Sequence, residues 1–226
     1  MTFQRARQDT QKAERSANIL KNARVLCSEF GVMGWSFNEL GRRADITKSN
    51  LYRYFSNREE ILLVLMHEEF HRFAQQFAAE TNDKHMDATE LSTLLAAFYA
   101  ERTLLCDLLS VSAAVLEKNL DLEDIQKIKM SGFEDAETVA LAIAKALGTI
   151  DKEQAERIAF VSGVIVTGLW PMACPTAPAQ RLAASKGLER LTLHFRTELQ
   201  KMLEAQIIGI TSTKPSGVEP IVRTPE

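Results

Sequence analysis

Apolar residues recur at helical spacing along most of the chain. In the first clear stretch Ile19, Leu20, Ala23, Leu26, Cys27 and Phe30 fall three and four apart, the pattern of a helix that buries one face. Gly31 ends the run, because glycine enters the left-handed C-terminal cap at no steric cost. Ser36 stands three residues before Glu39, so hydroxyl and carboxylate can cap each other's backbone amides at the start of a second helix. That helix is short, with Phe37, Leu40 and Ala44 facing inward, since Asp45 and Ile46 form a turn. Thr47 caps the third helix. There Leu51 and Phe55 face inward, while Lys48 and Tyr52, also four apart, share another side with Ser49 beside them. Ser56 with Glu59, or Asn57 with Glu60, makes a further capping box, and Ile61, Leu62, Leu65 and Met66 continue a fourth helix.

The same periodicity predicts helices at 11–30, 36–44, 47–54, 57–80, 89–100, 102–118, 122–147, 152–170 and 179–207. All six prolines fall at or after position 171, so nothing of that kind interrupts the first 170 residues, and an all-α chain follows. Thr81 to Asp87 is the one early polar linker, and from Gly209 onward a stretch with Pro215, Pro220 and Pro225 predicts a flexible tail. Gly41 inside the second helix should cost about 1 kcal/mol of helix propensity.

Two short helices around a tight turn, followed by a third whose exposed side carries Lys48, Ser49 and Tyr52, have the layout of a helix-turn-helix DNA reader. The segment from about 16 to 66 resembles the TetR-type bacterial transcriptional regulators, most of all in Leu51-Tyr52-Arg53-Tyr54-Phe55 followed by Asn57-Arg58-Glu59-Glu60-Ile61. It departs from that family's common pattern at Asp45, where the turn usually has Gly, at Gly41, where Ala is usual, and at Arg58, where Lys is usual. Asp tolerates a left-handed turn better than most residues, and Arg58 keeps the cation. The resemblance implies base-edge contacts from Lys48, Ser49 and Tyr52. It implies phosphate contacts from Ser36, Thr47, Asn50, Arg53, Tyr54 and Arg58. The chemistry suits these roles: Lys donates to guanine, a Tyr ring lies against a thymine methyl, and hydroxyl or amide groups reach backbone oxygens.

Charge strengthens the reading. The chain carries a net −3, yet residues 1–60 hold 11 Lys or Arg against 7 Asp or Glu, which leaves the remainder strongly acidic. A basic reader on an acidic body is steered onto DNA in one orientation. Arg5, Arg7, Lys12 and Arg15 either form a flexible arm toward the duplex or are an ordinary disordered terminus.

The family resemblance implies a C-terminal helical domain that binds a small molecule and dimerises. The expected organisation is therefore a DNA-binding domain at 1–56, an effector-binding and dimerisation domain at 57–208, and a flexible tail at 209–226. Tyr99, Cys106, Asp107, Ser110, Met130, Phe133 and Trp170 mix aromatic, soft and polar groups in the way of a ligand cavity, here expected between the fourth and eighth helices. Helices at 152–170 and 188–207, with Val164 and Leu199 as representative residues, are expected to form the homodimer interface.

Other chemistries are poorly supplied. No nucleophile, acid or base cluster suggests an enzyme, no Gly-rich loop suggests a nucleotide, and no cofactor is expected. His67 and His71 are four apart, but no Glu stands in the zinc-protease position between them, so no metal site is assigned. Cys27, Cys106 and Cys174 suit reduced cytosolic thiols. Residues 158–180 hold no charge, but Pro171 breaks the run after 13 residues, too early for a membrane span. With a polar start at Met1–Arg15, a cytoplasmic location is expected. The leading expectation is a repressor released from a palindromic operator by a small hydrophobic effector. The alternative is an effector-independent architectural or partner-recruiting DNA-bound protein.

Overall fold

The structure is a computed structural model that describes residues 2–112, 122–175, 181–182 and 193–212. Among the described residues every regular element is a helix: α1 (Thr2–Phe30), α2 (Phe37–Arg43), α3 (Lys48–Leu51), α4 (Arg58–Thr81), α5 (Ala88–Ala100), α6 (Thr103–Val111), α7 (Leu122–Leu147), α8 (Lys152–Ala173) and α9 (Phe195–Ser212). None is long and apolar enough to cross a membrane.

Local chemistry sets the boundaries. Gly31 adopts φ +76° and turns the chain out of α1. Asp87 with Glu90, and Asp151 with Gln154, form reciprocal capping boxes on α5 and α8. At α2 only half of the expected box exists: Ser36 Oγ accepts from the Glu39 amide at 3.2 Å, while the Glu39 carboxylate is held by Arg42 at 2.6 Å. At α4 the Asn57 option is used, its side chain accepting from the Glu60 amide at 2.8 Å. The Glu60 carboxylate reaches past the cap to the Ser56 amide.

Several lengths differ from expectation. α1 begins nine residues before position 11, because Arg, Gln, Ala, Lys and Glu all favour helix and neither Gly nor Pro interrupts them. The basic N-terminal residues therefore lie on a helix instead of a loose arm. α3 is a single turn that tightens into i→i+3 bonds, from Arg53 N to Asn50 O at 3.1 Å and from Tyr54 N to Leu51 O at 3.0 Å. α8 continues through Pro171 to Ala173. The proline removes one bond, to the Thr167 carbonyl, and the helix ends before a second is needed. α9 runs to Ser212, so 209–212 belong to a helix and not to the expected tail; 213–226 and most of the expected 179–194 segment lie outside the described residues. The 113–118 part of the expected sixth helix also lies outside them.

Two apolar cores result. The first gathers Ile19, Ala23 and Leu26 from α1, Leu40 from α2 and Leu51 from α3 against Ile61, Leu62 and Leu65 of α4, and it takes in Leu108 from α6. The second joins α4, α5, α6, α7, α8 and α9 around Phe73, Phe77, Leu95, Leu105, Ile143, Ile158 and Leu203. Each of these fully buried Ile, Leu and Phe side chains contributes about 1.5–3 kcal/mol relative to exposure. α4 and α6 belong to both cores. The seam between α4 and α7 also holds a nearly buried carboxylate, Asp135, which bonds His71 Nδ1 at 2.7 Å and has its other oxygen 3.8 Å from His67 Nδ1.

Candidate functional site

The turn between α2 and α3 is built by an exchange of residues. Asp45 takes the left-handed conformation at φ +54°, as its short polar side chain permits. Gly41 lets the turn fold back on α2: a Cβ there would lie 2.9 Å from the Ile46 carbonyl, and the Ile46 amide bonds the Gly41 carbonyl at 2.9 Å. Glycine is used one turn earlier than the family pattern places it. The helix-propensity cost at Gly41 is thus tied to a backbone contact.

On α3 the buried Leu51 fixes which side faces out. Lys48, Ser49, Asn50 and Arg53 are exposed, and Tyr52 is 52% exposed. The Tyr52 ring packs on Phe37 with centroids 5.0 Å apart, and Lys48 Nζ lies 6.0 Å from the same ring. These contacts preorganise an aromatic ring and an ammonium side by side on one surface. Thr47 Oγ1 accepts from the Asn50 amide at 3.4 Å and lies 3.3 Å from Ser49 Oγ, so its capping role takes part of its hydrogen-bonding capacity. Ser36 is exposed at the start of α2.

Arg58 is placed differently from the other assigned phosphate residues. Its Nη1 donates to the carbonyls of Trp35 at 3.0 Å and Met33 at 3.3 Å, and Nη2 pairs with Glu59 at 2.9 Å. The side chain is 22% exposed and clamps the α1–α2 loop to the head of α4. Lys12 and Arg15 of α1 line a polar cleft with Gln11, Arg53 and Tyr54. Three cations converge there. Sequence reasoning counted Lys12 and Arg15 with a basic arm although its own helix at 11–30 contained them; the uninterrupted helix-forming run before Ser16 was the signal that could have placed them on a rigid helix beside α3.

A cavity of about 760 Å³ lies in the body, bounded by Phe70 of α4, Tyr99 of α5, Leu109 of α6, Val139 of α7 and Ala159 and Thr167 of α8. Of the seven expected ligand residues it is lined by Tyr99 and by Phe133, which is 67% exposed at its edge. The other five do not line it. Trp170 packs edge-on against Phe195 at 4.7 Å and donates from Nε1 to Asp107 at 2.7 Å, which uses both groups in core packing. Cys106 is fully buried beside the Tyr99 carbonyl, Ser110 donates back to the Cys106 carbonyl at 2.8 Å, and Met130 is an exposed residue of α7. Burial pushes the Cys106 thiol up to about 12 and the Tyr99 phenol well above its ordinary value, so neither ionises near neutrality. Sequence reasoning missed Phe70, Phe160 and the wall of α8, because a one-dimensional pattern of aromatics does not separate a cavity wall from a packed core.

Val164, which also borders the cavity, and Met172 are exposed apolar residues of α8, and Met202 and Ile208 are exposed apolar residues of α9, which packs beside it. Leu199 is not on that surface; it is fully buried in the body core. Among the described residues no group of three or more His, Cys, Asp or Glu is arranged to hold a metal ion.

Two family models match the sequence. One, described as bacterial regulatory proteins of the tetR family, covers residues 19–65; the other, described as the tetracyclin repressor-like C-terminal domain, covers 67–214. No curated protein matches. Among solved structures, a TetR/AcrR-family transcriptional regulator from Thermobifida fusca is 17% identical with a TM-score of 0.54, over 89% of this chain and 100% of its own. The transcriptional regulator FadR from Bacillus subtilis, in complex with stearoyl-CoA, is 16% identical with a TM-score of 0.52, over 87% and 97%. The fatty acid degradation regulator FadR from Bacillus halodurans is 17% identical with a TM-score of 0.53, over 85% and 97%. At these identities the structural likeness speaks to the fold.

Proposed function

Because the chain belongs to the TetR family of bacterial regulators, we propose that it is a homodimeric repressor, released from a two-fold operator when a small hydrophobic effector fills the body cavity. The observation that carries this reading is the double membership of α4 and α6. Phe70 and Leu109 line the cavity, while Leu65 and Leu108, on the same two helices, are buried in the reader core. Phe70 stands twelve residues after Arg58, or about 18 Å along α4 at 1.5 Å per residue. A ligand that displaces α4 at Phe70 therefore moves the head of that helix, to which Arg58 clamps the reader. Arg24 adds a second tie from α1, to Glu68 and, at 3.2 Å, to Glu69.

Lys48, Ser49 and Tyr52 are assigned to base edges, and Ser36, Thr47, Asn50, Arg53 and Tyr54, joined by Lys12 and Arg15, to phosphates. One such short helix reads too few base pairs alone, so a second reader about 34 Å away is required. The exposed apolar residues of α8 and α9, Val164, Met172, Met202 and Ile208, suit pairing with their symmetry mates. The B. subtilis regulator of similar fold holds stearoyl-CoA, and the apolar walls here likewise suit a long apolar body. The cavity also favours this reading over an effector-independent architectural protein, which has no use for one. The place of action is the bacterial cytoplasm.

The test combines sedimentation with footprinting of the genomic fragments that the protein retains. A dimer protecting two half-sites one helical turn apart is expected, and Val164→Arg should give a monomer that protects neither. A wild-type protein that stays monomeric at micromolar concentration, or protects a single half-site, overturns the proposal.

A further inference from the structure

The mouth of the body cavity carries a sign. α7 presents Phe133 and Glu137 and α8 presents Glu156 and Phe160, each an aromatic ring and a carboxylate four residues apart, and all four line the cavity. On a helix that spacing puts both side chains on one face. The side chains of Glu137 and Glu156 are 52% and 51% exposed, which places them at the mouth instead of the floor. A single ammonium, Lys152, serves both, at 2.7 Å from Glu137 and 3.6 Å from Glu156. Two carboxylates sharing one cation leave one net negative charge. Among the described residues the lining contains no Lys or Arg that would cancel it. The hydrogen bond from Lys152 holds the Glu137 carboxyl below its usual range, so it stays ionised at neutral pH.

We propose that the effector is a hydrophobic cation: an amine or quaternary ammonium whose charged end lies between the Phe133/Glu137 and Glu156/Phe160 pairs, with its apolar body against Phe70 and Tyr99. The inference rests on the effector-released reading above and names the ligand class for that cavity. Ring faces attract a cation through their quadrupole, and the carboxylates add a full charge. A neutral amphiphile gains only the apolar walls. A polyanion such as a coenzyme A thioester would set phosphates against two glutamates, although the walls would accept its chain.

The test is calorimetric titration of the full chain with probes of one chain length, all below micelle-forming concentration: decyltrimethylammonium, decanol, decanoate and decanoyl-CoA. Decyltrimethylammonium is expected to bind at one site per chain and about ten-fold or more tighter than decanoate or decanoyl-CoA. In Glu137→Gln/Glu156→Gln the mouth changes from one net negative to one net positive charge, so the preference should invert while decanol affinity holds. Equal or tighter binding of decanoate or decanoyl-CoA to the parent overturns the proposal. So does a cation preference that survives the double substitution, or unsaturable uptake of cation at many sites. Operator affinity, measured in parallel, separates the two readings: a cation that binds as expected without weakening DNA binding sinks effector-released repression and leaves the ligand class standing. Operator release by decanoyl-CoA alone does the reverse.

Discussion

Arg58→Ala separates a structural clamp from a phosphate anchor. The guanidinium donates to the Trp35 carbonyl at 3.0 Å in a partly buried setting and to the Met33 carbonyl at 3.3 Å nearer solvent. A hydrogen bond with a charged donor is worth about 1.5–3 kcal/mol net. The Trp35 bond takes a value within that range, the longer and wetter Met33 bond and the Glu59 pair less than about 1 kcal/mol each. The substitution should therefore cost about 2–3 kcal/mol. For a chain of this size about 2–4 °C is lost per kcal/mol, so Tm should fall by about 4–12 °C in differential scanning fluorimetry. A phosphate anchor would behave otherwise: its loss lowers the slope of log affinity against log salt by about 0.9 per protomer, about 1.8 for a dimer, and leaves Tm alone. Anisotropy titrations at several salt concentrations should give Arg58→Ala the parental slope. Arg58→Lys sharpens the comparison, since an ammonium keeps the charge but cannot reach both carbonyls as a planar fork does. A Tm within about 1 °C of the parent, with a salt slope reduced by about two and restored by Lys, would refute the clamp.

Lys48→Ala and Tyr52→Ala should each cost about 1–3 kcal/mol on the operator and little on random DNA, whereas Arg53→Ala, Lys12→Ala and Arg15→Ala should weaken both alike and lower the salt slope; undiminished selectivity in Lys48→Ala would remove it from the base-reading face. Gly41→Ala gains about 1 kcal/mol of helix propensity but pushes a Cβ to 2.9 Å from the Ile46 carbonyl, so denaturant melts should show a net loss that Asp45→Gly relieves by freeing the turn; a more stable single variant would contradict this. Of the three thiols only Cys174 is exposed, so Ellman's reagent should titrate one thiol quickly in the folded protein and three after denaturation; rapid reaction of Cys27 or Cys106, both held protonated by burial, would show that the core opens.

The reader was legible in the sequence because its determinants are local. Gly31, Thr47 and Asn57 cap their helices through partners no more than four residues away, and the i,i+4 pairs Leu51/Phe55 and Lys48/Tyr52 divide inside from outside. Arg58 was harder, since its partners lie 23 and 25 residues earlier and an exposed cation near DNA has the same one-letter code as a clamp. In the body the helices were visible and the cavity was not. Trp170 and Tyr99 look alike as patterned aromatics, yet one closes a core against Phe195 and the other faces a void. That difference is set by how α5, α7 and α8 cross, which depends on contacts far apart in the chain.

Leu108 limits how this protein can be taken apart. A reader excised at position 56 would leave behind Ile61, Leu62 and Leu65 of α4 and the one leucine that α6 lends to its core. Its apolar floor would face water, and a fragment of that size has little burial to spare. A working graft of this DNA specificity onto another regulator must carry the first two turns of α4 and supply a leucine from a separate helix at the right height. DNA specificity and body are in this respect inherited together, and exchange of readers between such proteins is confined to bodies whose sixth helix already offers that side chain.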